Sequence, residues 1–336
     1  MTLRSSLLWP LALPYGAAVH LRARAYKKGV LRQRRLDGKV ISVGNLTVGG
    51  TGKTPTVLLI AERLAAEGKS VGILTRGYRG GSSALEANDP AKSGSDEVQL
   101  VRARLGDRVS FGVGADRFAR GCELAQRGVN WFVLDDGFQH LQLARDVDIV
   151  LLDAKDPFGG GRLLPAGRLR ESRTALDRAD VIVITRSQHA PGLEAAIRRD
   201  SDAPVFYAHT KLDSVHALHG GYPGEENRNA RTQKVFAFCG IGNPSAFLAD
   251  LQDWGFQVVG CRYLADHHRY TQQDVEGIEA AARQGGAEAI LCTEKDVFNL
   301  GGNKWSAFDV SYCRISMQID GEDEFWRVLE ARANRR

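Results

Sequence analysis

Short apolar runs rich in Val, Ile and Leu recur from residue 39 onward, and several of the stretches between them carry apolar residues every three or four positions. A run of about 4–8 apolar residues closed by Gly, Asp or Ser reads as a buried strand, and recurrence near 3.6 residues reads as a helix. The pattern predicts strands at Lys39–Gly44, Ser70–Thr75, Val109–Val113, Asn130–Asp135, Asp148–Asp153 and Ala179–Thr185. Helices are predicted at Thr54–Glu67, Asp116–Arg127 and Leu193–Asp200. Strand and helix in alternation imply a parallel sheet covered on both faces, so the expected fold class is α/β.

The rhythm changes near residue 203. Val205–Leu212 and Val215–Leu218 read as two short strands, followed by the polar, Gly-rich run Gly220–Arg231. Residues 203–233 are therefore expected to form a linker or a two-stranded hairpin. A second α/β set follows, with strands at Lys234–Cys239, Gln257–Tyr263, Ala289–Thr293 and Val310–Ile315. The expected plan is a parallel-sheet domain over 37–202, the connection over 203–233 and a smaller α/β domain over 234–336. No internal repeat at solenoid periods is visible.

Ahead of the first strand the pattern is helical. Leu8, Leu11, Tyr15, Val19, Tyr26 and Val30 fall near one face, with Arg22, Arg24, Lys27 and Lys28 in the polar or flanking sectors. Residues 1–36 thus read as an amphipathic helix of the interfacial kind, the alternative being a surface helix packed on the domain. No stretch reaches about 18 consecutive apolar residues, so no transmembrane helix is predicted. Leu7–Leu13 has the apolar character of a secretory segment, but it is short and Pro10 interrupts it.

Composition changes this picture in two places. Residues 1–40 hold nine Lys or Arg against a single acid, Asp37, while the whole chain carries only +5, so the remainder is slightly acidic. A basic arm meets either nucleic acid or an anionic membrane. No nucleic-acid-binding motif accompanies it, so the membrane is favoured and no nucleic-acid partner is expected. The five cysteines are odd in number, scattered and never in C-x-x-C pairs, which argues for a reducing compartment and against a disulfide framework or zinc site.

The most specific local chemistry follows the first strand. The loop Thr47, Val48, Gly49, Gly50, Thr51, Gly52, Lys53, Thr54 matches the end of the phosphate-loop pattern G-x-x-x-x-G-K-[ST], with Thr47 at the first glycine position. Backbone N–H groups at a helix start can wrap a phosphate that the helix dipole favours. Lys53 can reach the β- and γ-phosphates of ATP, and the Thr54 hydroxyl can ligate Mg²⁺. Asn130-Trp-Phe-Val-Leu-Asp-Asp-Gly137 reads as the companion strand ending in carboxylates, where Asp135 or Asp136 can hold the metal. Successive strand residues point to opposite faces, so the two do not aim alike.

Several segments, in order, resemble one family, the tetraacyldisaccharide 4′-kinases of lipid A biosynthesis in Gram-negative bacteria. They are Ser42-Val-Gly-Asn-Leu-Thr-Val-Gly-Gly-Thr-Gly-Lys-Thr-Pro55, Thr75-Arg-Gly-Tyr78, Gly94-Ser-Asp-Glu97, Asp135-Asp-Gly-Phe-Gln-His140, Leu163-Leu-Pro-Ala-Gly-Arg-Leu-Arg-Glu171, Asp266-His-His-Arg-Tyr270 and Thr293-Glu-Lys-Asp296. Ser95 departs from the family, which usually has glycine directly before the Asp. The resemblance implies a P-loop NTPase-like domain and transfer of the ATP γ-phosphate to the 4′-hydroxyl of a tetraacyldisaccharide 1-phosphate, giving lipid IVA. It also implies work at the cytoplasmic face of the inner membrane, through peripheral or monotopic attachment.

The resemblance assigns the catalytic base to Asp96, working with His267; otherwise Asp96 simply starts a helix. Asp266 beside two histidines at a strand end is unusual, and an imidazole there can accept or relay a proton or orient Asp96. Glu171 and His140 belong, by their segments, to the metal and phosphate surroundings. Arg76, Tyr78, Arg117, Arg168 and Arg170 are candidates for the nucleotide phosphates or the lipid 1-phosphate, each of them otherwise a solvated surface group. Glu294-Lys-Asp296 reads equally as a surface charge cluster. The main alternative is a membrane-associated P-loop switch ATPase, which usually carries Lys before the paired glycines, where this chain has Val48. A GTPase reading fails on Thr293-Glu-Lys-Asp296, whose lysine is misplaced for guanine recognition.

Overall fold

The computed structural model describes residues 8–77, 95–219 and 222–335. In chain order the principal elements are α1 (Trp9–Lys27), β1 (Lys39–Asn45), α2 (Lys53–Ala66), β2 (Val71–Thr75), α3 (Asp96–Leu105), β3 (Val109–Val113), α4 (Arg117–Ala125), β4 (Trp131–Asp135), β5 (Val147–Asp153), β6 (Val181–Thr185) and α5 (Pro191–Ile197). They continue with β7 (Val205–His219), β8 (Tyr222–Glu226), β9 (Lys234–Cys239), α6 (Pro244–Asp253), β10 (Gln257–Tyr263), α7 (Gln272–Gln284), β11 (Ala289–Thr293), α8 (Glu294–Leu300), β12 (Val310–Ile319) and α9 (Glu322–Ala333). The expected α/β alternation is present.

The chain divides into two units, one of residues 1–78, 105–209 and 317–336, the other of residues 79–104 and 210–316. In the first unit the strand order is β3-β2-β4-β1-β5-β6-β7. All its neighbours are parallel. Helices on both faces explain why β2, β5 and β6 are buried at every position and read as unbroken apolar runs. Strands β2, β3 and β4 lie on one side of β1 and β5, β6 and β7 on the other. The carboxyl ends of β1 and β4 thus meet where the order reverses, the usual ligand-binding place in an open α/β sheet.

The second unit holds the parallel series β10-β9-β11-β12. There β8 pairs antiparallel with β7. The two short strands expected at Val205–Leu212 and Val215–Leu218 are one continuous strand. The hairpin expected between them is therefore not formed; the single strand pairs instead with β8, inside the run read as a polar, Gly-rich connection, and Leu212, Val215 and Leu218 join the second unit's apolar clusters.

Two elements fall outside the 37–202 and 234–336 partition. Helix α3 belongs to the second unit up to Arg104, and α9 belongs to the first. The reason is in their side chains. Arg104 donates through Nε to both carboxylate oxygens of Glu294 at 3.0 Å. Phe325 of α9 is fully buried and meets the Phe206 ring edge-on at 5.3 Å.

Helix α1 departs from the single apolar face read in the sequence. Leu8, Ala12, Tyr15, Val19 and Tyr26 turn inward, at least half-covered. Tyr15 Oη donates to the Arg170 carbonyl at 3.0 Å, and Lys27 pairs with Asp177 at 2.8 Å. Leu11 stands instead on the solvent side, where Trp9, Leu13 and Leu21 are also more than half exposed, with Arg24 and Lys27 between them. The helix therefore packs on its unit by Leu8, Tyr15, Val19 and Tyr26 of the predicted face, while Leu11 and Val30, read on the same face, are exposed. Among the described residues no helix is long and apolar enough to cross a membrane.

Candidate active site

Strand β1 delivers the phosphate loop. Gly52, at φ 88°, caps α2 in the left-handed region, and a Cβ there would lie 2.7 Å from Met317 Cε. The backbone conformation favours glycine, whereas the contact is with the flexible end of a methionine that can shift. The loop is pinned from beneath. Asn45 Nδ2 donates to Thr51 Oγ1 at 2.9 Å, Gln139 Nε2 donates to the Asn45 carbonyl at 3.0 Å, and Thr185 Oγ1 reaches the Thr51 carbonyl at 3.3 Å.

The Leu-Pro-Ala-Gly segment acts as a second support. Val48 N donates to the Arg168 carbonyl at 2.9 Å and Arg170 N to the Leu46 carbonyl at 2.7 Å. Thr47 forms an antiparallel bridge with Leu169. The Val48 N–H, expected to face phosphate, is thus spent on the loop's own framework.

The carboxylates behind the loop have distinct surroundings. Asp136, at φ 49°, takes Arg170 Nη1 on both oxygens at 2.7 and 2.8 Å and has Lys53 Nζ at 3.6 Å. Burial pushes its carboxyl up, but Lys53 and Arg170 outweigh burial and hold it below the ordinary value. Asp135 accepts from Thr75 Oγ1 at 3.3 Å. Glu171 is buried with its two oxygens on Arg178, each at 2.9 Å, so the expected metal ligand is engaged by a guanidinium.

Arg117 is buried at the start of α4, with Nη1 3.0 Å from His140 Nδ1. Burial, then the charges of Arg117 and Arg145, push His140 down to about 4. A neutral imidazole at neutral pH therefore accepts this hydrogen bond. Arg168 forms an exposed pair with Asp156 at 3.3 Å, Arg76 is exposed, and Tyr78 lies outside the described residues.

The second unit carries the other cluster. Asp96 is the first residue of α3, only 5% exposed, and His267 Nδ1 lies 2.9 Å from both of its oxygens. Burial alone would raise the Asp96 carboxyl, but the His267 hydrogen bond, the Lys295 charge and Asn299 reverse that and hold it low. The hydrogen bond to Asp96 in turn raises His267 above its usual value, against burial and Lys295. Asp266 Oδ2 stands 3.7 Å from His267 Nε2.

Lys295, Asn299, Asn45 and Glu97 are absent from the residues expected at these sites. Lys295 sits in Thr293-Glu-Lys-Asp296, which also read as a surface cluster. The structure corrects that reading, because Glu294 is 6% and Asp296 1% exposed. A capping box, Thr-x-x-Asp, was the available signal that a helix begins there. Among the described residues no group of three or more His, Cys, Asp or Glu side chains gathers as a metal site.

The model of the family described as "Tetraacyldisaccharide-1-P 4'-kinase" matches residues 4–334. A tetraacyldisaccharide 4'-kinase of Geobacter metallireducens is 42% identical, with 88% of each chain covered. One from Anaeromyxobacter sp. (strain Fw109-5) is 38% identical over 97% of this chain and 91% of its own. Among solved structures, the "apo" form of LpxK from Aquifex aeolicus in complex with ATP superposes with a TM-score of 0.74 at 30% identity, covering 98% of this chain and 99% of that one. With the phosphate loop, the paired carboxylates and the Asp96–His267 couple in place, the chain belongs to the tetraacyldisaccharide-1-P 4'-kinase family.

Proposed function

We propose that the chain transfers the γ-phosphoryl group of ATP to the 4′-hydroxyl of a tetraacyldisaccharide 1-phosphate, giving lipid IVA. The observation that carries the chemistry is the Asp96–His267 couple, a buried carboxylate 2.9 Å from an imidazole, in a chain that also has a phosphate loop. A sugar hydroxyl is a poor nucleophile near neutral pH, and a positioned base contributes about 10²–10⁴-fold. One proton is shared along the Asp96–His267 contact, so the couple titrates as a unit and as a unit takes the hydroxyl proton.

Lys53 and the backbone amides of Gly49–Thr54 bind the β- and γ-phosphates, and Arg117 and Arg170 add positive charge beside them. Thr54 and the Asp135–Asp136 pair would hold Mg²⁺ together with the phosphates; when bound, the ion neutralises charge on the transferring group.

The proposed place of work is the cytoplasmic face of the inner membrane. Its support is the set of exposed apolar side chains on α1, Trp9, Leu11, Leu13 and Leu21, among the basic residues of the arm. The test is an assay of the purified chain with labelled ATP, Mg²⁺ and a tetraacyldisaccharide 1-phosphate. Label recovered in the 4′-phosphorylated lipid, one per ADP formed, is the expected result. ATP hydrolysis with no lipid phosphorylation would favour the switch ATPase instead.

A further inference from the structure

We infer that the short helix α8 is the positioning element of the Asp96–His267 couple, with Lys295 and Asn299 as the residues that hold Asp96. The inference rests on the reading of that couple as the proton acceptor.

Asp96 occupies a place that disfavours its charge, being almost wholly buried. Its oxygens are met from three directions. His267 Nδ1 reaches both, the Glu97 N–H donates to Oδ1 at 2.9 Å, and Asn299 Nδ2 donates to Oδ2 at 3.0 Å. Lys295 Nζ stands 3.8 Å from Oδ2. Residues 295 and 299 are four apart on α8, so one helical face presents both to one carboxylate.

Lys295 has a second task in the same cluster. It lies 3.2 Å from Glu97 and 3.8 Å from Asp266, as well as near Asp96. Three carboxylates thus surround one ammonium, and His267 is the other cation-forming group facing them. Burial lowers the Lys295 ammonium, but the three acids outweigh burial and keep it charged. That fixed charge opposes protonation of both partners, Asp96 and His267 alike. Without it, the acids around His267 would draw and keep a proton on the couple.

The same helix fixes the backbone on either side of His267. Asp296 accepts from the Gly240 N–H at 2.8 Å and from Tyr270 Oη at 2.7 Å. The Gly240 carbonyl accepts from His267 N at 3.0 Å, and the Asn299 carbonyl accepts from Tyr270 N at 3.1 Å. His267 itself sits at φ 59°, a conformation a non-glycine residue keeps only when its surroundings impose it. Glu294 completes the arrangement by gripping Arg104 in the last turn of α3, the helix that Asp96 begins. One element therefore holds the donor and acceptor sides of the couple in register.

The test uses the full chain carrying Lys295→Met, Lys295→Arg, Asn299→Asp or Asp96→Asn. For each, kcat against pH, KM for ATP and the melting temperature are measured. Lys295→Met is expected to lower kcat by about 10–10²-fold, a share of what a positioned base supplies, with KM for ATP nearly unchanged. The acid limb of its kcat profile should move to higher pH, because both partners then protonate more readily. Asn299→Asp places another carboxylate against Asp96 and should move the limb in the same direction. Lys295→Arg should restore the wild-type limb. An inactive Asp96→Asn together with unmoved limbs in Lys295→Met and Asn299→Asp overturns this inference alone. An Asp96→Asn enzyme with wild-type turnover overturns the reading on which it rests. If Lys295→Met does not fold, Asn299→Asp and Lys295→Arg decide.

Discussion

Lys53 and Arg170 converge on one carboxylate, Asp136. The carboxylate holds the two cations facing the loop, where an incoming triphosphate can take over their charge. Lys53→Ala is expected to lower turnover by at least about 10²–10³-fold, the size of effect that follows removal of one preorganised charge partner. A normal far-UV circular dichroism spectrum should accompany the loss, and near-wild-type turnover would refute the loop's assignment. His140 supports a pH prediction. Its folded-state value of about 4 lies below the ordinary value of about 6.5, so between these the unfolded chain binds more protons. Stability from this group is present above about 6.5 and is lost as pH falls toward 4. Denaturant titrations of wild type and His140→Gln should show a shallower loss in the variant across that window. An equal slope would mean that the imidazole is not held neutral. Loop residues 47–54 were legible because they are contiguous. The partnership of His140 with Arg117 was not, because 23 residues separate them and only the fold brings them together.

At the scale of elements, the apolar runs located the parallel strands of both units to within a few residues and missed β8, which lies in the polar run 220–231. Buried parallel strands write their whole length in apolar residues. The exception was β7, where polar Asp213 and Ser214 broke the run and suggested two strands. Asp213 accepts from Ser316 Oγ at 2.6 Å, so the apparent break is a paired polar position inside one strand. Helix α1 was harder for the opposite reason, since it is apolar on two sides and periodicity cannot say which one packs. The structure separates them, and so can mutation. Trp9→Glu with Leu13→Glu should weaken flotation with anionic vesicles while changing stability by no more than about 0.5 kcal/mol per site, as usual for exposed positions. Tyr15→Phe, which loses the bond to the Arg170 carbonyl, should cost about 0.5–1.5 kcal/mol and leave flotation alone. Salt should weaken the vesicle binding, since screening lengths near physiological ionic strength are about 8 Å. Unchanged flotation in the double variant would reject the outward face as a membrane contact.

Across the whole molecule, neither unit is a continuous stretch of chain. The second takes residues 79–104 from within the first, and the first takes back residues 317–336 after the second is complete. A linear reading assigns neither, because composition and periodicity carry no record of which sheet a helix will cover. The last helix makes the point testable. Phe325, Trp326, Leu329 and Ala333 of α9 are buried, and the Ala333 carbonyl accepts from Lys39 Nζ at 2.7 Å, at the start of the strand that carries the phosphate loop. Burying each large side chain contributes about 1.5–3 kcal/mol, so the three together reach an upper range of about 5–9 kcal/mol. That is comparable with the whole net stability of an ordinary domain, about 5–15 kcal/mol. Ending the chain at residue 316 is therefore expected to abolish cooperative melting of the first unit and, with it, nucleotide binding. The phosphate loop would be untouched in sequence. Fluorescent ATP-analogue binding and calorimetry of the truncated chain provide the check. Retained binding with an ordinary transition would show that α9 only decorates the sheet and that the first unit is complete without it.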